Sequence, residues 1–287
     1  MQPEASELIE QQGPLAAAIV VAHNQKSALE RCLRALQASA VRERMEVIVV
    51  DSGSSDGSGR VDEEFEGITV LRLPRDFGRS RARNIGARTA RADLLLFLDP
   101  RVELEPRAAG AMVEALTKDE GAAAAVPQFR TPDGRAVRCA RKLPDSRTLK
   151  KASMGDGALP ESDALEAIAD WAFLLRRPVL KGMNGFEEKR FSEHWAELEV
   201  CWQIRNAGKR IVEAPEAQAV LHPPSGGERD ETLLAADRVA GAAGFVAKHE
   251  GFFAGLLFRI SCALSALFSG RIGLFSAILS GSRVDPT

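Results

Sequence analysis

Apolar residues in this chain gather in short solid runs, and the runs alternate with stretches of helical spacing. Leu94–Leu98 is the most telling run: five apolar residues in a row fit a strand buried on both faces of a parallel sheet. It ends on Asp99, and Pro100 cannot continue a ladder. Ala16–Ala22 and residues 46–50 repeat the pattern, the second ending on Asp51, and Thr69–Leu73 is a weaker strand. Between these runs, Leu29, Cys32, Leu33 and Leu36 recur on one helical face. Residues 80–91 form a helix with a small-residue packing face of Ala82, Ile85, Gly86, Ala87 and Ala90, and Glu105-Pro106 opens another to about residue 117. Strand and helix joined by short connections predict βαβ units and a parallel sheet. Ligands in such sheets sit outside the carboxyl ends of the strands, where Asp51 and Asp99 both arrive.

Past Val126 the alternation loosens. Residues 131–135 read as a hairpin turn and 144–160 as a mobile polar loop, followed by an apolar run over 167–175 that ends at Arg176-Arg177-Pro178. A helix is expected from about 193 to 207, closed by Gly208, then short strands at 211–212 and 219–221 and a polar helix over 230–248. Residues 252–279 are rich in Leu, Phe and Ile, but Arg259 and Arg271 leave no uncharged run long enough to cross a bilayer. Phe253, Leu257, Ile260, Leu264 and Leu267 share one face, so this tail is an amphipathic helix, either docked on the protein or lying in a membrane interface.

The 287 residues can bury a full core, and a formal net charge of −2 with no basic domain argues against nucleic acid as a partner. Cys32, Cys139, Cys201 and Cys262 have no metal-ligand spacing and read as buried thiols of a reducing cytoplasm. The first 13 residues lack the basic-then-apolar pattern of a secretory leader. No G-x-x-x-x-G-K-[ST] occurs, and His23-Asn24-Gln25 stands where a dinucleotide fingerprint would follow the first strand. A sugar nucleotidyltransferase would need a Gly-rich, Lys-containing loop there.

Several ordered motifs together resemble family-2-type glycosyltransferases of the GT-A fold, especially the bacterial rhamnosyltransferase-like branch. Val20-Val21-Ala22-His23-Asn24 is similar to the opening strand and its nucleotide-contacting turn, and residues 49–58, VVDSGSSDGS, to the V-D-x-G-S-x-D-G-[ST] stretch. Arg81-Ala82-Arg83-Asn84-Ile85-Gly86-Ala87 matches A-R-N-x-G, and Phe97-Leu98-Asp99-Pro100-Arg101-Val102 lies where the family has F-L-[DN]-x-D-x. Leu174-Leu175-Arg176-Arg177, Gly185-Phe186-Glu187-Glu188, residues 197–208 and Lys248-His249-Glu250-Gly251 follow in the family's order. The fold implied is α/β, a GT-A fold with a mainly parallel central sheet and C-terminal helices. Residues 14–130 would form the nucleotide-sugar half, 131–229 the acceptor and catalytic half, and 230–287 the C-terminal helices with the amphipathic tail.

The resemblance implies an inverting transferase that moves a sugar from a nucleotide-diphospho-sugar to a lipid-linked or polysaccharide acceptor. The setting it implies is the cytoplasm, with the inner face of the cell membrane as the surface the tail would meet. Ala22, Asn24, Asp51, Ser54, Arg83, Asn84, Asp99, Arg101 and His222 would form the donor side, with Asp51 on the base and Asp99 facing ribose and diphosphate. Arg75, Arg79, Arg81 and Arg83 supply positive charge, of which no more than one or two should reach a phosphate.

Two motif positions depart from the family. Arg101 stands where an acid usually holds a divalent metal, so Mg²⁺ or Mn²⁺, with Asp99 and His222 as the remaining candidate ligands, is expected to be dispensable. The acidic pair is reduced to Ala196-Glu197, leaving Glu197 as the general base, with Glu199 structural or acceptor-facing. His222 either bonds the diphosphate or caps a turn. Trp171 and Trp195 are candidate sugar platforms, and Trp202 is expected in the core. These departures keep open a relative that binds nucleotide or glycan without turnover.

Overall fold

The computed structural model describes residues 13–224 and 230–284. The first 12 residues, on which the expectation about a leader mostly rests, lie outside the described residues. The strands are β1 (Ala16–Ala22), β2 (Met45–Ser52), β3 (Thr69–Leu73), β4 (Leu94–Leu98), β5 (Val102–Leu104), β6 (Ala122–Arg130), β7 (Ala136–Val137), β8 (Ala140–Arg141), β9 (Ala167–Ile168), β10 (Ala172–Arg176) and β11 (Arg210–Leu221). The α-helices are α1 (Lys26–Gln37), α2 (Arg79–Thr89), α3 (Ala108–Lys118), α4 (Ser146–Met154), α5 (Arg177–Gly182), α6 (Ala196–Asn206), α7 (Glu231–Glu250), α8 (Phe252–Phe268) and α9 (Ile272–Ser280).

The main sheet runs β3-β2-β1-β4-β10-β6-β11-β5, with β7 hairpinned on β6. β3, β2, β1 and β4 pair in parallel, as the alternating pattern requires, and the register sets Ala22 beside Asp51. β10 then enters antiparallel between β4 and β6, with Ala172 opposite Leu98. An antiparallel strand begins at the edge where its parallel neighbour ends. Asp170 and Trp171, which precede β10, are thereby delivered to the edge that carries Asp99, and the Asp99 amide donates to the Trp171 carbonyl at 2.7 Å. From the other side, β11 ends beside β5, and the His222 amide donates to the Arg101 carbonyl at 3.0 Å.

The interior strands are solidly apolar and buried, Leu95, Phe97, Val49 and Val50 among them. Helix α2 lies close on this sheet because Gly86 has no side chain: a Cβ there would meet Ile19 Cγ2 at 2.6 Å and Val50 Cγ2 at 3.2 Å. Gly86→Ala is therefore expected to push α2 outward and cost about 1–3 kcal/mol, read by denaturant unfolding.

Three expectations are corrected. Residues 144–160 are no featureless loop, since Asp145 accepts from the Thr148 amide and caps α4. The strands expected at 211–212 and 219–221 are one strand, β11, with an irregularity between Ala214 and Gln218 that hides its continuity from the pattern. The tail is two helices, parted near Gly270, whose φ of 74° suits a residue without Cβ. Its docking is also settled in an unexpected way. Gly255, Phe258, Cys262, Ala263 and Ala266 bury one face of α8, with Gly255 pressed on Ala243 and Ala247 of α7. The face carrying Phe253, Leu257, Ile260, Leu264 and Leu267 stays exposed.

Candidate active site

The carboxyl edge of β1, β2 and β4 holds two regions of interest. On the first, Asp51 is buried and its Oδ1 has no hydrogen-bond partner. Buried polar atoms are rarely left so, and an acceptor of this kind suits an imide or amino group of a ligand. Gly59 gives the carboxylate room, since a Cβ there would stand 2.7 Å from Oδ2. Asn24, at φ 51°, accepts from the Ser55 amide at 2.8 Å, and its own amide donates to Ser54 Oγ at 2.9 Å. His23 Nδ1 donates to the Ser52 carbonyl at 2.7 Å. The turn after β1 and the serine-rich loop after β2 are thus stitched together around Asp51.

The second region is an open cleft of about 400 Å³, whose walls include Arg79, Arg101, Asp170, Trp171, Glu193, His194 and Glu197. Arg101 folds back on Asp99 in a fork, Nε to Oδ1 at 2.9 Å and Nη2 to Oδ2 at 3.0 Å. Burial opposes ionisation of Asp99, but the Arg101 fork and Arg79 outweigh it and hold its pKa below the ordinary carboxylate value. Arg79 opens α2, and there the Glu193 carboxylate accepts from its amide at 3.0 Å, an anion at a helix N-terminus. The Arg79 side chain spans Asp170 at 3.0 Å, Glu193 at 3.3 Å and Asp99 at 3.9 Å. Arg83, one turn on, is buried against Asp170 at 2.8 Å, while Arg75 and Arg81 stack on the Phe77 ring. Of the four arginines, only Arg79 lines the cleft.

Glu197 enters from the first turn of α6, which Trp195 initiates in the left-handed region at φ 73°. A non-glycine residue held there is strained, and here it is clamped: its ring is buried and its Nε1 donates to the Arg238 carbonyl at 2.9 Å. Burial, reinforced by the Asp170 charge, pushes the Glu197 carboxyl up to about 8. Once ionised, a carboxylate of raised pKa in a cleft is a stronger base than an ordinary one and can accept a proton from a hydroxyl.

Other expected residues lie elsewhere. Asn84 does not face this cleft: it donates to the Phe186 carbonyl and to Glu188 and accepts from the Phe186 amide, tying α2 to the Gly185-Phe186 turn. Glu199 points away from Glu197 because two helical positions differ by about 200°. It is buried among Gln203, Lys248 and His249; burial opposes its ionisation, but these partners outweigh it and lower its pKa. His222 Nε2 pairs with Glu103 at 2.8 Å. Trp171 lines the cleft and packs edge-on against Phe129, and Trp202 stacks with His249 at 4.1 Å. Asp170, Glu193, His194 and the segment 156–159 line the cleft without having been singled out from the sequence.

The groups expected nearest a divalent ion are engaged with protein partners. Both Asp99 oxygens are taken by Arg101, His222 is turned to Glu103, and no cluster of three His, Cys, Asp or Glu among the described residues could hold a metal.

Residues 17–180 match the Glycosyl transferase family 2 domain. "Probable glycosyltransferase YdaM" of Bacillus subtilis (strain 168) is 25% identical over 212 residues, 71% of this chain and 50% of that protein. The chain thus spans about half the length of this curated relative. Among solved structures, GalNAc-T7 with UDP, GalNAc and Mn²⁺ superposes at a TM-score of 0.61, with 16% identity over 84% of this chain and 49% of that one. Mannosyltransferase PcManGT from Pyrobaculum calidifontis, in complex with GDP-Man and Mn²⁺, gives 0.56 and 16% over 94% of this chain and 74% of that one. These likenesses establish the GT-A fold. With a match that covers more than half its length, the chain belongs to glycosyl transferase family 2.

Proposed function

We propose that this chain transfers a sugar from a nucleotide-diphospho-sugar to a hydroxyl of a lipid-linked or cell-envelope polysaccharide acceptor, with inversion at the anomeric carbon. The observation that carries the reading is Glu197, a buried carboxyl of raised pKa in a cleft that Arg79 and Arg101 also line. Glu197 takes the proton of the acceptor hydroxyl as that oxygen attacks the anomeric carbon. The bond from that carbon to the diphosphate oxygen breaks, and the nucleoside diphosphate leaves with the electron pair. One displacement inverts the centre. Arg79 and Arg101 stabilise the charge that develops on the leaving diphosphate. The Asp99 fork occupies Nε and Nη2 of Arg101, which leaves Nη1 for a phosphate oxygen. Mg²⁺ or Mn²⁺ is dispensable in this reading.

Asp51 accepts a hydrogen bond from the base of the donor. Asp51→Ala should weaken binding of the preferred nucleoside diphosphate by about 0.5–1.5 kcal/mol while leaving the fold intact. Titration calorimetry with unchanged affinity would remove Asp51 from the donor site. The reading as a whole is tested by incubating the purified chain with a panel of nucleotide sugars and acceptors: donor consumption with glycosylated product supports it. Binding with no turnover across the panel would favour the degenerate relative. The protein works in the cytoplasm, where the exposed face of α8 and α9 would hold it to the inner face of the membrane without spanning. No described helix is long and apolar enough to cross.

A further inference from the structure

Among the described residues, every large apolar side chain that is clearly exposed lies on α8 or α9. Phe253 is 77% exposed, Leu257 66% and Phe268 84%, and both helices are anchored by their opposite faces, so these rings are not the underside of a loose segment. A contiguous apolar surface of this kind needs a covering. From residue 251 to 284 the chain has no Asp or Glu and three arginines, Arg259, Arg271 and Arg283. Beside the face, α4 adds Arg147 and Lys151, both exposed. Apolar side chains framed by cations complement an anionic lipid surface.

The same helix α4 joins this face to the cleft. Lys150 Nζ of α4 donates to the Ser261 carbonyl of α8 at 3.0 Å, and Arg271, between α8 and α9, donates to the Met154 carbonyl at 2.9 Å. Met154 ends α4, and the chain then runs directly into residues 156–159, which line the same cleft as Glu197. The exposed apolar face and the wall of the cleft are thus two ends of one short rigid strut.

We propose that α8 and α9 seat on an anionic bilayer so that the 155–159 segment faces the same surface, and that the acceptor hydroxyl belongs to an amphiphile anchored in that bilayer. This rests on the transferase reading above and narrows its acceptor from a glycan of either kind to a membrane-held one. Oriented presentation would replace a three-dimensional search by one confined to the surface.

The test uses the full chain and vesicles of phosphatidylglycerol and phosphatidylcholine carrying a headgroup fluorophore. All four native cysteines are buried, so a dye can be placed on Ala158→Cys, in the loop, or on Glu66→Cys, exposed before β3 at the far edge of the sheet. Expected are flotation with the vesicles, weakened about tenfold or more by Phe253→Asp with Leu257→Asp and Phe268→Asp, and stronger energy transfer to the headgroups from position 158 than from 66. Flotation with equal or reversed transfer would overturn the orientation and leave membrane association standing. A chain that stays in solution, as a monomer or as a dimer abolished by the same aspartates, would overturn the proposal altogether. Neither result bears on the transferase reading, which donor turnover judges separately.

Discussion

Replacing Glu197 by Gln is expected to abolish sugar transfer, by roughly 10²–10⁴-fold in rate, while donor binding persists. The amide keeps the size and hydrogen-bonding capacity of the side chain and loses its proton affinity. The carboxyl is held up to about 8, so the wild-type rate should climb with pH and level off above that value, since only the ionised form accepts a proton. Stability should move the opposite way. An unfolded Glu releases its proton near ~4.3, whereas the folded one keeps it to about 8. Across that window the folded chain binds the extra proton, so wild-type stability falls as pH rises. Glu197→Gln removes this loss, and its melting temperature should overtake that of the wild type progressively between pH 5 and pH 9. At about 1.4 kcal/mol per pKa unit, the gain is on the order of a few kcal/mol at the alkaline end. Retained turnover in Glu197→Gln would remove Glu197 from the role of base, and a melting difference that ignores pH would show that its carboxyl is not held up.

Arg101→Asp should lower metal-free activity at least tenfold and leave the site with two adjacent carboxylates in place of a closed ion pair. Asp99 then loses its fork and keeps the backbone amide of residue 101 and Arg79 at 3.9 Å. Two carboxylates facing one cleft attract a divalent ion, so added Mn²⁺ is expected to bind this variant and restore part of the rate. The wild type should work equally well with chelator and with Mn²⁺. Donor turnover measured under both conditions, for both proteins, decides the matter. Strict metal dependence of the wild type would overturn the charge-replacement reading.

The N-terminal half of the sheet was legible because parallel strands write themselves as solid apolar runs. Leu94–Leu98 lies where the pattern puts it, and Asp51 and Asp99 end their strands on one edge. The other half was harder, for a directional reason. A search for acids at strand ends looks downstream of each run, and β10 runs the other way, so its functional edge is upstream. Asp170 and Trp171 stand inside the apolar run over 167–175, which the structure splits into β9 and β10 around them, and the pattern does not pair them with Asp99. The strongest local signal for them was an acid immediately preceding Leu174-Leu175-Arg176-Arg177 by a few residues. Glu193 was invisible in a different sense. Its role comes from meeting the N-terminus of α2, 114 residues back, and no local spacing encodes that contact. For Arg101 the sequence offers a cation in a metal's place, but it could not show that the side chain folds onto its own neighbour, Asp99.

The cluster around Glu199 has a consequence for how the molecule can be divided. Lys248 and His249 of α7 hold Glu199, Asp237 accepts from the Glu193 amide, and Arg238 reaches the Gly155 carbonyl. The C-terminal helices therefore brace the helix that carries Glu197 and the cleft wall from behind. A chain cut before α7 would lose the counter-ions of a buried carboxylate along with its outer surface. Recombination between relatives at that point would pair one protein's keystone with another's arch.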